Sequence, residues 1–313
     1  ASRSSAVEEL WGGLGQISFA RYLAELDTGE IVARLIRIRD TLAGKAGLIA
    51  GFTGSGEAMA AARSIAARAF RPFVPPSPRN PHCVDGDAFR ALADGPGQAA
   101  ATPAAGPGVT AVAPPAPEVF ASPSLQIGFA ALTLGAAPYN SRAQAAELVL
   151  AHQLSTGALW EDIRMKGGAY GAFAHTDSIE GIFALSTYRD PNPQRSIDSF
   201  KSVLQDMLAA PAAWYRDAET LEKAIVGTYA REIRPRTPAE RGGGDFIRFL
   251  YGVDDELRLR KLQWLIEVEG EEIAEALRGL AGQEGRSPVI IAGPAAAEKA
   301  AKELGVDVKT LPV

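Results

Sequence analysis

A helix forced to stop at two adjacent glycines and continue as a strand constrains this chain more than any other feature. The stretch LWEDIRMKGGAYG runs from Leu159 to Gly171. Upstream of and into it, Ala146, Leu148, Val149, Leu150, Leu154, Leu159, Trp160 and Ile163 recur at helical spacing, which predicts an amphipathic helix over 143–164. Lys166 suits a helix C-terminus, and Gly167-Gly168 supply the backbone freedom to end one. The strand that follows, from Ala169, carries Tyr170 and Phe173. The junction keeps Arg164 and Tyr170 close. A guanidinium and a phenol placed together can both donate hydrogen bonds to a carbonyl oxygen that is gaining negative charge. The residues alone leave a plainer reading open, in which Arg164 is a solvated helix-end charge and Tyr170 an ordinary strand aromatic.

Patterning around this junction predicts the rest of a domain over 118–313. Extended segments are expected at 118–122 and 125–134. A hairpin follows the junction, with strands at 169–176 and 181–188 joined by the polar turn 177–180. Helices are expected at 196–208, 218–233, 254–264, 270–280 and 295–304, with late strands at 289–292 and 306–309. Gly242-Gly243-Gly244 are expected to break the chain before a short segment at 246–252. Hairpins mixed with helices, without strict alternation, predict an α+β fold: a largely antiparallel sheet with helices on one face.

Earlier in the chain, helices are expected at 10–26, 29–42 and 57–70, with a short buried strand at 47–53. Residues 1–70 read as the end of a preceding domain. Residues 71–117, dense in Pro, Gly and Ala, read as a connection between domains. Gly54-Ser55-Gly56 hints at a phosphate-binding turn. The third small position and the acidic ribose ligand of a dinucleotide motif are missing, so a plain turn into a helix competes with it.

The string LWEDIRMKGGAYGAF, followed by GIFALSTYRDPNP, resembles the C-terminal half of the presequence-protease and falcilysin branch of the pitrilysin-like zinc peptidases. The resemblance covers 118–313 well and 1–70 loosely. It implies the LuxS/MPP-like metallohydrolase architecture, built from similar α+β domains. It also implies that Arg164 and Tyr170 reach across a closed chamber to a zinc site on the N-terminal half, and that the substrates are unfolded peptides. The zinc motif of that family is His-x-x-Glu-His. This chain has three histidines, His82, His152 and His175, and none stands in that spacing. The expectation is therefore no metal on this chain, zinc in the complete enzyme, and no activity from the isolated chain. A non-catalytic subunit of a two-part peptidase, or a peptide-binding module of the same fold, are the alternatives.

Composition excludes some partners. A net charge of -5 argues against nucleic acid, whose phosphates need a basic face. No apolar run approaches the roughly 20 residues that span a bilayer. The single cysteine, Cys83, leaves no internal disulfide. No basic-then-apolar leader precedes the first helix, which fits a bacterial-type cytoplasmic chain or, in a eukaryote, an organellar one. The opening Ala1 fits either processing or a piece of a longer protein.

Overall fold

The computed structural model describes residues 11–45, 51–69, 116–177, 180–283 and 287–311. They fall into two compact units. One is drawn from Ala113–Arg234 and Glu256–Val313 with the start of the chain, the other from Tyr22–Val112 and Pro235–Asp255. The expected connection at 71–117 and the turn residues Ser178 and Ile179 lie almost wholly outside the described residues, as do His82 and Cys83.

The described residues open with helices α1 (Leu14–Glu25), α2 (Thr28–Lys45) and α3 (Gly56–Ala69). The larger unit then follows with strands β1 (Glu118–Ala121) and β2 (Phe129–Gly135) and helix α4 (Arg142–Gln153). Next come β3 (Gly171–Asp177), β4 (Ile182–Tyr188), α5 (Pro193–Ala209) and α6 (Ala218–Glu232). The order closes with α7 (Pro238–Leu250), α8 (Asp255–Ile266), α9 (Gly270–Ala281), β5 (Pro288–Ala292), α10 (Pro294–Leu304) and β6 (Val308–Thr310).

One six-stranded sheet runs β3-β4-β2-β5-β1-β6. The pairings β3/β4, β4/β2 and β2/β5 are antiparallel, as hairpin-rich patterning requires. Strand β1 pairs in parallel with both β5 and β6. The fold is thus α+β with a mixed sheet.

Strand alternation decides which face is covered. Val119, Ala130, Leu132, Leu134, Ala172, Ala174, Phe183, Leu185 and Ile290 all point into one core. Helices α4, α5 and α10 pack on that face, and α9 fits against α4 and α5 behind them. Phe200, Leu204, Met207, Ile273 and Leu277 are fully buried there. At about 25 cal/mol per Å² of apolar surface, burial of this kind is the main stabilising term. The opposite face carries Phe173, Tyr188 and the partly exposed Phe129, and lacks such a helical layer among the described contacts.

Three local expectations need correction. The extended segment at 125–134 begins only at Phe129, because the Leu125 N–H donates to the Ser122 carbonyl (3.1 Å) in a turn. The triple glycine does not break the chain: α7 runs through Gly242–Gly244. A capping box of Thr237 and Glu240, with Pro238 in the first turn, nucleates that helix strongly enough to carry the glycines. The missing side chain of Gly242 also admits a close neighbour, Thr53 lying where its Cβ would stand. The helix expected over 143–164 stays α-helical only to Gln153 and then widens.

In the smaller unit, α2 is steadied by Arg34, which bonds Glu30 (2.5 Å) and the Tyr22 hydroxyl (3.3 Å). Residues 51–53 of the expected strand at 47–53 are irregular, and 46–50 are outside the described residues. Ser55 caps α3 by accepting the Ala58 N–H (3.3 Å). That bond gives the Gly-Ser-Gly turn an ordinary capping role.

Candidate active-site edge

The junction is built from helix α4 outward. Ser141 caps it by accepting the Gln144 N–H (3.3 Å), and Ala145, Ala146, Val149 and Leu150 bury its inner face. After Gln153 the chain takes the wider π-helical form over Leu154–Ala158 and Trp160–Lys166. Hydroxyls loosen this stretch. Ser155 Oγ lies 2.8 Å from the Ala151 carbonyl, and Thr156 Oγ1 donates to the His152 carbonyl (2.8 Å). Gly157 provides room for Trp214, whose ring would meet an added Cβ at 2.6 Å. Widened turns of this kind recur at functional sites, where they re-aim side chains.

The widened stretch is pinned from outside. Asp162 accepts from Arg195 Nη2 (3.0 Å) and from Ser199 Oγ (2.5 Å), and its carbonyl accepts from Arg195 Nη1 (3.0 Å). Ile163 is fully buried. Gly168 adopts φ 80°, the left-handed conformation that ends a helix, and its N–H donates to the Arg164 carbonyl (3.0 Å). The Ala169 N–H donates to the Ile163 carbonyl (3.2 Å). The Tyr170 N–H then donates to the Arg189 carbonyl (3.2 Å), which fastens the entry of β3 to the end of β4.

This scaffold brings the two sequence-predicted residues together. Both are exposed, and the Arg164 guanidinium carbon lies 5.9 Å from the centroid of the Tyr170 ring. Asp162, two residues away, is already engaged by Arg195, and Arg164 has no carboxylate partner among the described residues. Tyr170 is 65% exposed, with its ring edge-on to Tyr188 at 5.9 Å and 73°. Tyr188 in turn meets Phe129 at 5.8 Å. Phe173 folds back over Gly171, directly opposite Tyr188 in the register. Tyr188 and Phe129 were not anticipated as neighbours of Tyr170. Only the β3/β4 and β2/β4 pairings bring them there, and register has no local signal.

The two described histidines, His152 and His175, do not join this edge as a metal set. His175 is exposed on the open face of β3. His152 lies in α4, its ring against Gly227, with a buried Nδ1 that has no hydrogen-bond partner among the described residues. Burial lowers its pKa, and nearby Arg231 lowers it further. Among the described residues no three of the His, Cys, Asp and Glu side chains gather as a metal would need, so these residues do not fit a zinc ion.

Two other buried ionisable groups lie away from the edge. Glu147 accepts the Ala137 N–H at 3.0 Å with each oxygen, and burial raises its pKa despite that bond. Lys261 is buried with Nζ 3.4 Å from the centroid of the Tyr139 ring.

Residues 139–276 match the family described as the PreP C-terminal domain. The mitochondrial presequence protease of Gibberella zeae is 31% identical over 166 residues, which is 51% of this chain and 16% of that protein. The chloroplastic/mitochondrial presequence protease 1 of Arabidopsis thaliana is 36% identical over 118 residues, 38% of this chain and 11% of that protein. Among solved structures, a protease from Helicobacter pylori superposes with a TM-score of 0.47 at 16% identity, covering 57% of this chain and 45% of that one. The chain therefore spans about one sixth or less of the length of these two curated relatives. The matched segment contains both Arg164 and Tyr170. Residues 139–276 of this chain are thus similar to the C-terminal domain of presequence proteases.

Proposed function

We propose that this chain contributes Arg164 and Tyr170 to peptide-bond hydrolysis in a complete enzyme whose metal is held by residues other than those described here. The observation that carries the reading is the exposed Arg164 guanidinium, without a carboxylate partner among the described residues, over the Tyr170 ring at a junction of helix and strand. When water attacks a scissile carbonyl, its oxygen becomes negative. The Tyr170 phenol donates to that oxygen, and Arg164 holds a substrate carbonyl or shares the same charge. Both donors are held by backbone hydrogen bonds before substrate arrives, so little reorganisation accompanies the reaction. Unfolded peptides are the substrates that the resemblance implies, and the relatives' name, presequence protease, fits a peptide substrate. Their names also carry the words mitochondrial and chloroplastic, which supports an organellar place for a eukaryotic source. Domain boundaries near 70 and 118 belong to the same reading, with 118–313 as the peptidase-like domain.

The test uses the complete enzyme, this chain with the polypeptide that precedes it, acting on an unstructured peptide. Tyr170→Phe lowers kcat by on the order of 10²–10³, the usual effect of removing one oxyanion donor, while metal content stays the same. An unchanged kcat sinks the role. The isolated chain has no activity on the same peptide.

A further inference from the structure

Arg189 is the one non-glycine among the described residues with a left-handed backbone, φ 52°. That conformation strains an ordinary side chain, and glycine adopts it freely. The backbone on either side explains why the conformation persists. The Arg189 carbonyl accepts the Tyr170 N–H (3.2 Å). The next residue, Asp190, exchanges two backbone hydrogen bonds with Gly128, at 2.7 and 2.8 Å. None of these bonds uses the arginine side chain, and a glycine would make the same ones without strain. Strained residues concentrate where function demands a particular side chain.

The Arg189 side chain is exposed and has no carboxylate partner among the described residues. Its neighbours across the junction are the Tyr170 backbone and, one residue earlier in β4, Tyr188, whose ring touches Tyr170. Two arginines without a carboxylate partner among the described residues thus adjoin one tyrosine: Arg164 with its guanidinium over the Tyr170 ring, and Arg189 with its carbonyl on the Tyr170 N–H. A guanidinium has five donors in a rigid fork and no acceptor, which suits the backbone carbonyls of an extended peptide.

We propose that Arg189 is a further substrate-binding residue of this edge, its guanidinium donating to a backbone carbonyl of the bound peptide, and that this contact is why an arginine occupies a glycine-like position. The inference rests on the reading given under Proposed function. The contact is made in the bound substrate and kept through the reaction, so its loss acts mainly on KM.

The experiment compares Arg189→Gly, Arg189→Asn and Tyr170→Phe in the complete enzyme, measuring kcat, KM and Tm. Glycine and asparagine both tolerate the left-handed backbone, so the fold is kept and Tm does not fall. With either replacement kcat/KM drops about 10- to 100-fold, the range for a hydrogen bond from a charged donor, and the change lies chiefly in KM. Wild-type kcat/KM in Arg189→Gly or Arg189→Asn overturns the proposal. A drop that appears only together with a lowered Tm also overturns it, because it assigns Arg189 a backbone role. If Tyr170→Phe lowers kcat while both Arg189 variants behave as wild type, this inference alone fails. If Tyr170→Phe changes nothing, the split-site reading itself fails.

Discussion

The Ser155 hydroxyl accepts the Ala174 N–H at 2.8 Å and lies 3.0 Å from the Ala174 carbonyl oxygen. One side chain of the widened helix thereby covers the outward-facing backbone of β3, an edge strand. Uncovered edges invite pairing with other chains. The same bonds hold the element carrying Arg164 against the strand that follows Tyr170. Ser155→Ala leaves both Ala174 groups without their partner and costs about 1–3 kcal/mol. Denaturant unfolding measures that loss, and hydrogen exchange at the Ala174 amide accelerates. An amide as protected as in the wild type would show that the edge is closed by something else.

Acid stability reports on His152. Burial holds its folded pKa below the ordinary 6.5, so the folded state favours the neutral ring. As pH falls through 6.5, the unfolded chain takes up the proton first and stability declines. The contribution is fully present above that value. Arg231, on α6, adds a like charge that opposes protonation. His152→Gln flattens the dependence of Tm on pH between neutral and mildly acidic conditions. Parallel wild-type and variant curves in that window would falsify this account.

Lys261 behaves in the opposite pH range. Burial lowers its pKa from 10.5 to about 8, while Glu232 and Asp177 pull the other way. Below about pH 8 both folded and unfolded states hold the proton, and the full cost of burying the charge is felt. Between about 8 and 10.5 only the unfolded chain keeps it, so stability from this group rises with pH. Contact with the Tyr139 ring offsets part of the cost. Lys261→Met keeps the apolar stem and stabilises the fold by about 1–2 kcal/mol at neutral pH. The gain shrinks towards pH 10. A less stable variant at pH 7 would mean that the cation–ring contact outweighs desolvation.

Much of the local structure was legible from particular residues. The apolar-periodic run from Ala146 to Ile163, Gly167-Gly168 after it, and the paired runs around 171–188 give a helix, a stop and a hairpin within a few residues of where they lie. Legibility failed where a distant partner decides. Ser155 looks like a neutral helix residue until Ala174 is beside it. Gly157 looks like a weak point until Trp214 fills its space. Gly242–Gly244 look like a break until the Thr237–Glu240 cap is set against them. At the candidate site, Arg164 and Tyr170 were nameable because they flank a local hinge. Tyr188 and Arg189 became visible as their neighbours only through strand register and one backbone φ angle.

By itself, the sequence determined most of the order of elements, the α+β class, the glycine stop between Arg164 and Tyr170, and the strings LWEDIRMKGGAYGAF and GIFALSTYRDPNP that resemble presequence proteases. These follow from periodicity, capping and turn chemistry, which act over a turn or two of chain. Only the tertiary structure decided the parallel insertion of β1 between β5 and β6. It alone widened the helix onto Ser155 and Gly157, set Tyr188 opposite Gly171, and strained Arg189 to meet Tyr170. Those choices depend on pairing and packing between residues far apart in sequence, whose free energy exists only once the sheet has formed.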